Sequence, residues 1–137
     1  MAFLQGTGGG VEKPTLLWTN DSPSTSIDYN FTANINGLSN YKAFMIEFRK
    51  QRNDSSNLEY NWIDSSDLTN KQCTISQMID STYWAIRPML IDYTNNRITG
   101  NGKSPTYFNT STASFSNGSA YTIPTRIWGY KKTIINT

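Results

Sequence analysis

The chain has 137 residues, of which 16% are charged, with a formal net charge of +2 and no histidine. That length holds one domain with its own core and leaves too little chain for two. The lack of histidine excludes Ser-His-Asp and Cys-His nucleophiles and His-ligated zinc, and the scattered basic residues lack the concentrated positive footprint of a nucleic-acid binder.

With so few charges, the polar surface is made largely of Ser, Thr and Asn. Aromatic residues reach 13%, and in a β-rich domain most such rings fill the core while a minority decorate a surface where a flat ring can stack on a sugar or fill a partner's groove. Cys73 is the single cysteine, so no intramolecular disulfide forms, and it is expected inside as a small apolar residue. No stretch approaches the roughly 20 apolar residues of a membrane span, and Met1-Ala2-Phe3-Leu4-Gln5 lacks the pattern of a signal peptide. A soluble protein without membrane insertion or a cleaved leader is expected. The Asn-x-Ser/Thr triplets, such as Asn30-Phe31-Thr32 and Asn109-Thr110-Ser111, then read as a by-product of composition.

In chain order, residues 1–13 read as an arm. Met1, Ala2, Phe3 and Leu4 form a short apolar tip, and the glycine-rich run 6–10 is a tether without a fixed shape of its own. The tip is an expected anchor for another subunit. A single domain is expected over 14–137. Its first strand is Thr15 to Thr19, closed by the turn cluster Asn20-Asp21-Ser22-Pro23. From Tyr29 to Ile35, apolar residues alternate with Asn30, Thr32 and Asn34, the pattern of a half-buried strand with Tyr29, Phe31, Ala33 and Ile35 inward. Asn36-Gly37 breaks it. Lys42 to Lys50 places Phe44, Ile46 and Phe48 on one face and Met45, Glu47 and Arg49 on a solvated one, and Leu58 to Ile63 is its hairpin partner. Asp64 to Asp67 suits a loop that caps a short helical turn.

Gln72 to Ser76 is a weak strand. Thr82 to Asp92 is a longer one, with an irregularity expected at Pro88. Asn95-Asn96 and Gly100-Asn101-Gly102 bracket an expected mobile loop that contains Arg97 and Lys103. Tyr107, Phe108 and Phe115 mark two short strands, and Asn117-Gly118 turns the chain into a closing strand from Tyr121 to Lys131, with Pro124 near its start. The outcome is an all-β chain of about eight short strands, an antiparallel β-sandwich that is jelly-roll-like in the broad sense, with a flexible N-terminal arm.

Motifs for chemistry are weak. Gly102-Lys103-Ser104 imitates the end of a phosphate-binding loop, but Arg97 stands at the earlier glycine position and Pro105 where the helix should start. Carboxylates such as Glu47, Glu59, Asp64, Asp67, Asp80 and Asp92 carry no spacing that selects a catalytic pair, and Asp64 with Asp67 lacks the dense oxygen spacing of a calcium loop. No enzyme activity, cofactor or metal is expected. Tyr60, Trp62, Tyr107 and Tyr130, in or beside loops, are the candidates for stacking on a glycan.

Leu17-Trp18-Thr19-Asn20 with Pro23, then Leu38-Ser39-Asn40-Tyr41 before the alternating Phe44, Ile46 and Phe48, then Ile123-Pro124 with Ile127, Gly129 and Lys131, occur in that order. This set resembles small β-rich domains of bacteriophage and prophage virion proteins of the head-fibre, tail-fibre or minor structural type. Trp128 and Tyr130 stand where smaller or less polar residues are common in that family. The resemblance implies a virion component, assembled in the bacterial host cytoplasm and present in many copies. It also implies contact with other virion proteins through the N-terminal arm and a homo-oligomer, with a trimer among the arrangements allowed. Its role is capsid decoration, assembly or host attachment. The alternative is a carbohydrate-binding module that recognises bacterial surface glycans through exposed aromatics.

Overall fold

A computed structural model describes residues 13–65 and 67–131. The expected anchor Met1, Ala2, Phe3 and Leu4 and the glycine tether lie outside the described residues. Among the described residues, ten strands form two antiparallel sheets. The first has the order β1 (Thr15–Thr19), β10 (Tyr121–Tyr130), β3 (Ala43–Gln51), β4 (Leu58–Asp64). The second is built on β6 (Tyr83–Asp92). One side of β6 carries β5 (Lys71–Met78), and the other carries β7 (Arg97–Thr99) and β8 (Thr106–Asn109) end to end. Outside those two lie β2 (Thr32–Asn34) and β9 (Ser114–Asn117). The antiparallel β-sandwich expected from the alternating pattern is what forms, with ten strands rather than about eight.

The core fills the space between the sheets. Because side chains alternate along a strand, Phe44, Ile46 and Phe48 of β3 point one way together with Ile127 of β10. They meet Ala33, Ile75, Met89, Ile91 and Ile98 from the second sheet, all of them buried. Each such side chain contributes about 1.5–3 kcal/mol by leaving water. Trp18 is drawn in by a one-residue irregularity in β1 and meets the Phe31 ring edge-on at 5.3 Å. Gly129 is small for a local reason: a Cβ there would sit 2.6 Å from the side chains of both Leu17 and Tyr41.

Several expectations change once neighbouring strands are in place. The second strand shrinks to Thr32–Asn34, and Tyr29 lies exposed rather than inward, because β2 has a partner only where β7 runs beside it. The segment around Arg97, expected as a mobile loop, is β7, hydrogen-bonded between β2 and β6. Pro88 causes no irregularity. The register between β5 and β6 runs unbroken through Thr74 and Pro88, and on the other side β7 ends opposite Leu90 while β8 begins opposite Ile86, so neither of those strands requires a donor at Pro88. Pro124 sits inside β10 rather than at its start, beside a bulge. The loop after β4 turns through a bond from the Leu68 N–H to the Ser65 carbonyl, and the one short 3-10 turn among the described residues is at Leu38–Asn40.

One buried cation ties the two sheets together. Arg87 of β6, only 1% exposed, donates from Nε to the Thr122 carbonyl at 2.8 Å, from Nη1 to that of Ile27 at 2.8 Å and from Nη2 to that of Tyr121 at 2.9 Å. Those acceptors belong to the chain entering β10 and the segment before β2. Thr122 itself adopts φ 48°, a left-handed conformation rare for a β-branched residue, and the guanidinium holds its carbonyl there.

Candidate functional site

The outer face of the four-stranded sheet carries large apolar side chains. Register places them in rows across the strands: Leu16, Trp128, Met45 and Trp62 form one, with Arg126, Glu47 and Tyr60 beside it and Tyr130, Ala43 and Asp64 on the far side. The Trp62 and Tyr130 rings lie 4.7 Å apart with Met45 and Ala43 packed against them. The Tyr60 ring lies 6.4 Å from that of Trp128, and Tyr60 is 50% exposed. The Arg126 guanidinium sits 5.2 Å from the centre of the Trp128 ring, a cation–π contact worth about 0.5–1 kcal/mol at such a site. The buried Trp62 Nε1 has no hydrogen-bond partner.

The expectation that Glu47 lies on a solvated side is corrected here. Its residue is 1% exposed, because the β10 bulge between Pro124 and Arg126 brings two donors opposite one acceptor. Thr125 Oγ1 donates to Glu47 Oε1 at 2.7 Å, and Arg126 binds both oxygens, from Nε at 2.9 Å and from Nη2 at 3.1 Å. Burial pushes the Glu47 carboxyl up, but the bonds from Arg126, Thr125 and the Tyr60 hydroxyl, with the Arg126 charge, hold it below its ordinary value. Burial and the same carboxylate push the Tyr60 hydroxyl up. Next to this group opens a cleft of about 270 Å³, lined by Asn20, Glu47, Arg49, Leu58, Thr125 and Arg126 among others.

Of the four residues expected to meet a glycan, Tyr60, Trp62 and Tyr130 fall on this one face, but only Tyr60 stands half-exposed: Trp62 is partly buried, and Tyr130 is buried against Trp62, Met45 and Ala43. Tyr107 does not fall on this face. It lies on β8 of the other sheet, half-buried between Tyr83 and Tyr121, whose rings meet it edge-on at 5.2 and 5.3 Å. Sequence reasoning missed Trp128, Met45, Glu47 and Arg126 as members. Trp128 shares the strand parity of Tyr130 and Arg126, a signal that was present, whereas the convergence on Glu47 depends on the bulge.

The outer face of the second sheet carries another row. Met78 of β5 is paired with Trp84 of β6, Trp84 with Phe108 of β8, and Phe108 with Phe115 of β9. Trp84 is 47% and Phe115 66% exposed, and the two Phe rings are 4.9 Å apart. Among the described residues no three His, Cys, Asp or Glu side chains gather as a metal site. Asp67 instead bonds Thr69 within its own turn, and Asp92 takes up Arg97 and Asn95. Cys73 is half-buried, and burial pushes its thiol up to about 11, far from a reactive thiolate.

Comparison of the chain with protein-family models, with curated proteins and with solved structures found no match.

Proposed function

We propose that this chain is a non-enzymatic virion structural module, displayed in many copies for assembly or host-surface attachment. The observation that carries this reading is the Met78, Trp84, Phe108 and Phe115 row: four apolar side chains abreast on a sheet face that in an isolated antiparallel sandwich is polar. Such a face suits contact with a neighbouring subunit, where repeated modest interfaces add through multivalency. The order of the Leu17-Trp18-Thr19-Asn20, Phe44-Ile46-Phe48 and Ile123-Pro124 marks supports the virion setting. The test is antibody labelling of purified particles by electron microscopy, combined with quantitative mass spectrometry. Many copies per particle are expected, and absence from the particles overturns the reading. Phe115→Ser serves as the companion variant. Phe115 is largely exposed and loses only its ring contact with Phe108, so the substitution costs about 0.5–1.5 kcal/mol and leaves the chain folded, yet reduces the concentration-dependent self-association seen by sedimentation velocity. Unchanged self-association would remove the row from the argument.

A second reading, carbohydrate recognition, is favoured by the Tyr60, Trp62 and Trp128 face beside a polar cleft. A ring half-exposed next to convergent hydrogen-bonding groups is the arrangement that binds a sugar, with stacking for affinity and polar groups for orientation. Tryptophan fluorescence titrated with bacterial wall glycans reports it directly, since Trp128 is part of the face. No response across a broad panel would leave the assembly role alone.

A further inference from the structure

We infer that the cleft between β3, β4 and β10 takes an acidic saccharide, the sugar ring on Tyr60 and its carboxylate or phosphate on Arg49; this rests on the carbohydrate reading and specifies its ligand. Charge decides it. The cleft is lined by two guanidiniums and by one carboxylate, that of Glu47. The carboxylate is fully engaged: Arg126 binds both its oxygens, and Thr125 and the Tyr60 hydroxyl take the remaining positions. Glu47 therefore neutralises Arg126 and has nothing left for Arg49.

Arg49 has only neutral partners among the described residues. Its Nη1 donates to Ser24 Oγ at 3.3 Å and to the Arg52 carbonyl at 3.1 Å. The neighbouring Arg52 likewise donates to a hydroxyl, Ser26 Oγ at 3.1 Å. The nearest acid on the β3–β4 turn, Asp54, accepts from the Ser56 N–H and hydroxyl and from the Asn57 N–H and side-chain amide. A guanidinium at a cleft wall without a carboxylate is a receptor for an oxyanion, which it grips through paired N–H donors. The aromatic component is close by, because Glu47, which lines the cleft, is bonded by the hydroxyl of the half-exposed Tyr60. Neutral sugars satisfy the ring alone; an acidic sugar satisfies both.

The experiment titrates the full chain, followed by tryptophan fluorescence, with four probes: a galacturonate tetramer, the neutral galactose tetramer, a phosphodiester-linked sugar oligomer and its dephosphorylated repeat. One or both acidic probes are expected to bind at least tenfold more tightly than the neutral counterpart, with affinity falling as salt rises. Which one binds distinguishes a uronate from a phosphate source. Arg49→Gln is expected to weaken the acidic probe about tenfold, as loss of a charge-assisted hydrogen bond does, and to leave any neutral probe unchanged. Arg49→Lys is expected to restore part of the loss. Equal binding of acidic and neutral probes would overturn this inference while leaving the carbohydrate reading in place, and so would an unaffected Arg49→Gln. Binding of none of the four would overturn both. Far-ultraviolet circular dichroism and the urea midpoint of each variant, matched to the parent, separate lost binding from lost folding.

Discussion

Replacing Arg87 by Met tests the reading of that residue as the tie between the sheets. The substitution keeps an unbranched apolar stem and removes the guanidinium, so the carbonyls of Ile27, Tyr121 and Thr122 each lose a charged donor at 2.9 Å or less. Hydrogen bonds to charged groups contribute about 1.5–3 kcal/mol each. Against them stands the cost of keeping the cation out of water. Burial pushes the Arg87 pKa down to about 10, which still leaves it charged at neutral pH. At about 1.4 kcal/mol per tenfold change in proton affinity, that cost is on the order of 3 kcal/mol. The balance is a net loss of about 3 kcal/mol, the form it takes being three carbonyls left without that charged donor.

Urea unfolding followed by tryptophan fluorescence measures it. Trp18, held edge-on to Phe31 in the core, reports the loss of the sandwich. A lower midpoint with an unchanged slope is expected. Arg87→Lys, with a single ammonium for several divergent acceptors, is expected to fall between the parent and Arg87→Met. A loss below about 1 kcal/mol for Arg87→Met would refute the reasoning, because it would mean that the three carbonyls find other partners and the clamp contributes nothing net.

Acid should destabilise the fold through two buried carboxylates. Glu47 and Asp92 have folded pKa values below their ordinary 4.5 and 3.8, so the unfolded chain takes up protons first as pH falls. Their stabilisation is fully present above about pH 5 and is lost as pH falls through the lowered folded values. Glu47→Gln is expected to cost roughly 1–3 kcal/mol at pH 7, less than a fully buried pair because Arg126 reaches solvent, and to flatten the acid limb of a urea-midpoint profile. A limb of unchanged steepness would show that Glu47 is not a source of it. Gly129→Ala is expected to cost about 1–3 kcal/mol by driving a methyl group against Leu17 and Tyr41. A thermal melt indistinguishable from the parent would show that those side chains step aside freely.

The sequence by itself determined what a chain can encode locally. Period-2 alternation put Phe44, Ile46 and Phe48 on one face of their strand, and all three lie on that face in the structure because alternation needs no neighbour. The Asn20 to Pro23 and Asn117-Gly118 turns follow from side-chain and backbone preferences of a few adjacent residues. Which strand lies beside which depends instead on contacts between residues far apart in the chain, and these decided the rest. Tyr60, Trp62 and Tyr130 share a face with Trp128 only because β10 inserts next to β3, whereas Tyr107, alike in composition and context, goes to the other sheet. Arg97 looks like a loop residue until β2 and β6 flank it. Glu47 reads as a solvated position on any alternation pattern. It is buried because one bulged residue 78 positions later brings Thr125 and Arg126 to it together, and no local preference records that meeting.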